Sequence, residues 1–181
     1  TASVPVWLGA LLFLVWMVNL YNFMDGMDGF AGGMAVIGFG AFGYLGWLAD
    51  SPSFMVLSID VAAAAAGFLL FNFPPARIFM GDTGSSVLGF LAGAFILWAD
   101  HLGLFPFWVG LLVFSPFVAD ATVTLLRRLI SGERVWVAHK THYYQRLVQL
   151  GWGHRKTTLV EYGLMLLSAM GAILAAQSTR S

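Results

Sequence analysis

Residues 6 to 24, VWLGALLFLVWMVNLYNFM, run nineteen positions without a charged side chain. A helix rises about 1.5 Å per residue, so a segment of this length crosses the roughly 30 Å hydrocarbon core of a bilayer. Five further apolar stretches follow, at residues 30 to 49, 54 to 73, 85 to 99, 106 to 127 and 158 to 176. The fourth is short and either extends into its glycine-rich flank or sits tilted among neighbours. With 59% hydrophobic and 10% charged residues, the chain lies outside the soluble globular range. The expected fold is all-α, a polytopic transmembrane helical bundle of six spans forming a single domain over residues 1–181. No cysteine is present, which excludes disulfides and thiolate metal sites. The first segment lacks a basic leader and a cleavage site, so it reads as a span and not as a signal peptide. Because the chain opens at Thr1, it is expected to begin partway through a longer protein.

Six crossings put alternate breaks on the same side of the membrane, which groups the loops at 25–29, 74–84 and 128–157. That side carries Arg77, Arg127, Arg128, Arg134, Lys140, Arg146, Arg155 and Lys156, and the other only Arg180. Basic loops stay on the cytoplasmic side, so these three loops are expected to face the cytoplasm. Gly38, Gly40, Gly43 and Gly46 in the second span, and Ala62 to Ala66 in the third, suit close helix packing.

The polar residues of the first loop sit in NLYNFMDGMDG, residues 19 to 29. Asp25 and Asp28 are like charges at a membrane boundary, where each is costly without a partner. One aspartate suffices to cap the next helix, and capping leaves Asn19 and Asn22 unexplained. Oxygen ligands on a glycine-containing turn suit Mg²⁺, which takes one or two carboxylates and completes its shell with water and substrate phosphate. Gly26 and Gly29 allow positive φ and close approach of a ligand.

Asp82 lies in the second loop, within NFPPARIFMGDTGSS, just before a helix whose free N–H groups form an anion site. A metal bridging carboxylate and anion is one reading; a helix cap after a proline turn is the other. The lysine of a phosphate-binding Walker loop is missing. The third loop holds His139, His142 and His154 among basic residues. Its spacing lacks the glutamate of a zinc hydrolase, and its charge fits a polyanionic substrate, although loops on this side are basic for topological reasons too. Asp120 is placed about two turns inside the fifth span, as a functional acid or as the partner of a buried polar group.

Taken together, NLYNFMDGMDG, PPARIFMGDTGSSVLG, the aspartate and arginine pair of the fifth span, and HKTHYYQRLVQLG resemble a known family. It is the polyprenyl-phosphate N-acetylhexosamine-1-phosphate transferases of bacterial envelope synthesis, whose motifs occur in this order over residues 19 to 156. The resemblance implies transfer of a sugar-1-phosphate from a UDP-N-acetylhexosamine to undecaprenyl phosphate, with release of UMP. It also implies a ten-helix fold in the bacterial inner membrane, a cytoplasmic active site, Mg²⁺ as cofactor with Mn²⁺ as a substitute, and compatibility with a homodimer. Nucleic acid is not an expected partner. The six spans correspond to the C-terminal part of that fold.

Carried over by motif, Asp82 resembles the principal metal ligand, with Asn22 close to the ion. Asp25, Gly26, Met27 and Asp28 match the turn that forms the nucleotide pocket, and Phe79 the aromatic that packs on uracil. His142 matches the loop histidine near the donor phosphates. Asp82, Asp25, Asp28 and His142 are thus the expected catalytic residues, with Asn19, His139, Lys140 and Arg146 added to the substrate-binding set. Tyr143, Tyr144 and Gln145 stand where many relatives have further histidines, and His139 where aspartate is common. These departures resemble the branch that starts O-antigen or capsule chains and argue against the muramyl-pentapeptide transferase of peptidoglycan synthesis. An intramembrane aspartyl protease using Asp82 and Asp120 would need no metal, and a transporter would need paired repeats that the sequence does not display.

Overall fold

The computed structural model describes residues 3–133 and 141–179. Its helices are α1 (Val4–Met24), α2 (Phe30–Leu48), α3 (Pro52–Asn72), α4 (Gly81–His101), α5 (Phe107–Val113), α6 (Ser115–Ile130), α7 (Tyr143–Leu147) and α8 (Gly153–Ser178), with a π-helical turn, Val148–Trp152, kinked at Gly151 (φ +91°), before the last. Among the described residues there is no strand. Five helical stretches are long and apolar enough to span a membrane, and α5 with α6 makes a sixth if the bent pair is one crossing. The protein is a multi-pass membrane protein, as its composition requires.

The expected single helix over 106 to 127 is replaced by two, bent by 85° at Phe114. Pro116 explains the break. It lacks an N–H, and its ring collides with the carbonyl four residues earlier, so a helix arriving from Phe107 cannot run through it. The bend also corrects the position expected for Asp120: it lies early in α6, and its depth cannot be counted along one straight helix. Proline acts similarly at the end of α3. Pro74 and Pro75 disfavour helical backbone before them, and the chain leaves the helix at Phe73 with φ −62° and ψ 140°.

The centre of the bundle is α2, with 67% of its spanning residues buried, compared with 17% for α1 and 22% for α3. It packs along α3, while α1 packs along α4 and α8 closes against α2 and α5. Phe39 and Phe42 of α2, Phe54 of α3, Phe95 of α4, Phe105 and Phe114 interlock as a buried aromatic cluster. Lipid tails give helices no hydrophobic reason to associate, so close backbone approach has to supply the contact. At Gly89 a β-carbon would lie 2.6 Å from the Met17 carbonyl oxygen, and at Gly46 it would lie 2.9 Å from the Met55 nitrogen. Gly38 and Gly43 are likewise filled, by Phe114 and Ile59, but Gly40 faces open space and is not a packing position.

Replacing Gly89 with Val should force α1 and α4 apart and destabilise the bundle by roughly 2–3 kcal/mol, whereas Gly40→Ala should be neutral or slightly stabilising. Thermal unfolding midpoints in one detergent would check the pair. A Gly89 variant as stable as the parent would contradict the tight α1–α4 contact.

Candidate active site

The three loops converge at one end of the bundle. α1 stops at Met24, the chain turns through residues 25–29, and Gly29, at φ +74°, starts α2. Backbone groups in such a turn need partners when water is scarce, and side chains of other helices supply them. Asn72, at the end of α3, accepts the Gly29 N–H at 2.9 Å and donates to the Ile78 carbonyl at 2.9 Å, joining the first loop to the second. From α8, Thr158 donates to the Asp28 carbonyl at 2.9 Å and Tyr162 to the Gly29 carbonyl at 2.7 Å. The Tyr144 hydroxyl of α7 donates to the Phe23 carbonyl at 3.1 Å and lies where any side chain at position 26 would have to go.

Among the described residues four aspartates occupy this end, in different circumstances. One oxygen of Asp28 accepts the Ala76 N–H at 3.1 Å and the other lies 3.3 Å from Nδ1 of His154. Asp120 is buried on α6 and accepts from the Thr124 hydroxyl at 3.1 Å, the His142 Nδ1 at 3.1 Å, and the N–H groups of Tyr143 at 3.0 Å and Tyr144 at 3.2 Å. It therefore holds the N-terminus of α7 and fixes the position of the His142 ring. Asp82 is exposed in the first turn of α4, where the Asn22 amide donates to it at 3.3 Å and to Ser85 at 3.1 Å. Asp25 is half-buried after α1, and its carboxyl is raised to about 6, by burial first and by the nearby Asp82 charge, against a lowering hydrogen bond from the Gly81 N–H.

Asp25, Gly26, Met27, Asp28, Asn72, Phe79, Met80 and His154 line a cavity of about 280 Å³. Phe79 is 76% exposed at its edge, and Asn22 and Asp82 adjoin it through Asp25. The remaining residues expected from the sequence lie elsewhere. His142 is buried and stacked between Phe23 and Tyr144. Arg146 donates to the Thr141 carbonyl and borders a separate basic cavity of about 120 Å³ with Arg127 and Arg128. Asn19 is exposed and donates to the Val15 carbonyl of its own helix. His139 and Lys140 lie outside the described residues. Asn72, Thr158, Tyr162 and the His154–Asp28 pair were missed as site elements; an asparagine just before two prolines was the one available signal.

The donor set fits a hard cation. Asp25 and Asp82 are like charges close enough to raise Asp25, and Asn22 adds an amide beside them. Among the described residues no three His, Asp or Glu side chains form a complete protein cage, as is usual for Mg²⁺, which leaves positions for water and phosphate. The same geometry argues against an Asp82–Asp120 protease dyad, because Asp120 is occupied by α7 and Asp82 by Asn22. Asp120→Ala should leave three donors of α7 without their acceptor, loosening that helix by roughly 2–4 kcal/mol. Hydrogen exchange at the Tyr143 and Tyr144 amides should rise accordingly; unchanged protection would refute the capping role.

The model of glycosyl transferase family 4 matches residues 2–100. The chain is 33% identical over 125 residues to a probable undecaprenyl-phosphate N-acetylglucosaminyl 1-phosphate transferase of Bacillus subtilis, covering 68% of this chain and 35% of the relative. It is 33% identical over 130 residues to a decaprenyl-phosphate N-acetylglucosaminephosphotransferase of Mycobacterium tuberculosis, covering 65% of this chain and 32% of the relative. A phospho-N-acetylmuramoyl-pentapeptide-transferase of Levilactobacillus brevis is also 33% identical, over 128 residues, covering 70% of this chain and 38% of the relative. The chain thus spans about a third of the length of these relatives. On its matched residues, it belongs to glycosyl transferase family 4.

Proposed function

We propose that the complete protein transfers N-acetylhexosamine-1-phosphate from a UDP-sugar to undecaprenyl phosphate, releasing UMP and initiating an envelope polysaccharide. The site would face the cytoplasm from the bacterial inner membrane. The observation that carries this reading is the carboxylate cavity at the helix ends, with an exposed phenylalanine at its edge. A ring available on one side suits a flat base, and carboxylates on the other suit a metal-bound diphosphate. Lipid phosphate reaches such a boundary site by diffusing along the membrane.

Asp82 and Asp25 would hold Mg²⁺, with Asn22 orienting Asp82 or turning its carbonyl oxygen toward the ion. When bound, the ion neutralises diphosphate charge and stabilises the departing UMP. Phe79 packs on the uracil. Asp28, tied to Ala76 and His154, keeps the second loop and α8 in register around the nucleotide. Arg127 and Arg146 draw the polyanionic substrates toward this end of the bundle. An oxygen of the lipid phosphate attacks the phosphorus bearing the sugar, and the bond from that phosphorus to UMP breaks as the new one forms. The product is a lipid diphosphate sugar.

The names of two relatives support N-acetylglucosamine as the donor sugar. The muramyl-pentapeptide donor is the second reading, since a relative of that name matches at the same identity. UMP release by membranes carrying the intact polypeptide, given undecaprenyl phosphate and each donor in turn, should distinguish the two. Asp82→Asn should cut the rate by roughly a hundredfold or more, the scale on which removing one preorganised stabiliser of developing charge acts, and chelation of divalent cations should do the same. A normal rate in that variant would end the metal role; no release with any donor from folded protein would end the transferase reading. Phe79→Ala should raise KM for the donor roughly tenfold while sparing kcat, given about 1–3 kcal/mol for base stacking.

A further inference from the structure

α8 has two opposed faces. Thr157, Thr158, Glu161, Met165 and Ala169 are buried, and Thr158 and Tyr162 hold the 25–29 turn. At 100° per residue, Lys156, Leu159 and Val160 fall on the opposite side and Arg155 at the edge between the two faces, with Trp152 just before the helix. These five residues line an open groove of about 490 Å³. Lys156 Nζ lies 4.1 Å from the centre of the Trp152 ring. Among the described residues neither Arg155 nor Lys156 pairs with a carboxylate. Below the two cations the exposed stripe becomes apolar, through Leu159 and Val160 to Leu167, Met170 and Leu174.

We propose that this groove binds an anionic glycerophospholipid of the surrounding bilayer, its phosphate between Arg155 and Lys156 and its acyl chains along the apolar stripe. The charge complementarity is direct: two cations without a carboxylate partner among the described residues head an apolar wall in a membrane helix, and a tryptophan sits at the level where the two meet. Tryptophan favours that interfacial depth, and juxtamembrane cations attract anionic headgroups. Undecaprenyl phosphate shares the chemistry of a phosphate on an apolar tail. The apolar stripe that would hold its tails, however, lies on the far side of α8 from Thr158 and Tyr162, which touch the 25–29 turn where an acceptor would have to present its phosphate. The groove therefore suits a resident lipid better than a substrate. Such a lipid would brace the start of α8 immediately after the π-helical turn, and so steady Thr158 and Tyr162 against the site.

The test is retention of lipid by the intact polypeptide in native mass spectrometry, with phosphatidylglycerol, phosphatidylcholine, undecaprenyl phosphate and inorganic phosphate as separate probes. Phosphatidylglycerol should be held preferentially, and an Arg155→Gln/Lys156→Gln variant should hold it roughly ten- to thirtyfold less well, as expected for two surface cations. Arg77→Gln, at the same end of the bundle, should leave retention unchanged. Equal retention of phosphatidylcholine, displacement by inorganic phosphate, preferential retention of undecaprenyl phosphate at these two cations, or an unaffected double variant would each overturn the proposal. A second measurement does not depend on that variant folding: brominated phosphatidylglycerol should quench less fluorescence in Trp152→Phe than in the parent, and equal quenching would also overturn it. Neither readout depends on transferase activity.

Discussion

The turn at residues 25–29 is held by bonds to its peptide groups from outside its own segment, and the arrangement of the polar end follows from that. A bilayer tolerates non-helical backbone only where protein satisfies its donors and acceptors. Here Asn72, Thr158, Tyr162 and Tyr144 each reach a backbone atom at or beside the turn. They come from three different helices, so the turn exists only when α3, α7 and α8 are already in place. Each of these side chains is also positioned by the contact it makes. The cavity is thus a product of tertiary assembly, although most of its lining comes from one short motif.

That dependence separates what the sequence made legible from what it did not. Span lengths, all-helical class and the grouping of three polar loops follow from hydropathy and charge, and the structure brings those loops to one end. The bend at Phe114 was less visible because apolar composition continues through it; only Pro116 marks it, and a proline in a membrane helix does not by itself determine an 85° turn. Phe79 was named only through the family resemblance, whereas Asp25, Asp28, Asn22 and Asp82 were legible as a polar cluster because short polar motifs stand out in an apolar chain. Asn72 and Tyr162 were not, because one polar residue among apolar neighbours has the same sequence signature whether it bonds a distant turn or its own helix. Asn19, which bonds its own helix, illustrates the second case.

Asp120 illustrates a related ambiguity. An acid inside an apolar segment was open to two readings, chemistry or pairing, and its contacts favour pairing. Four donors from α6 and α7 surround it, three of them brought in by α7. α7 has only five residues, too few to be stable alone, so its position depends on this carboxylate and on the burial of Tyr144. Through Tyr144 the effect extends to the turn at Gly26. A residue far from the cavity in sequence thereby shapes one of its walls.

The carboxylates at this end can be ordered by how completely the protein answers their charge. Asp120 is surrounded by donors, and Asp28 has a peptide N–H and an imidazole. Among the described residues, Asp25 and Asp82 have one neutral hydrogen-bond donor each, Gly81 N–H and the Asn22 amide, and the Asp82 charge adds to the cost of ionising Asp25. Evolution could have removed that repulsion with a lysine or a second amide. Leaving two partly answered acids at the mouth of a cavity makes sense if something outside the polypeptide completes them, and a cation carrying a diphosphate does so with the fewest additional assumptions. Asp28, already satisfied, is then free of that task and fixes the geometry around it. The motif that looks like two equivalent Asp-Gly steps in the sequence is in the fold one aspartate bonded to a peptide N–H and an imidazole, and one that faces a second acid.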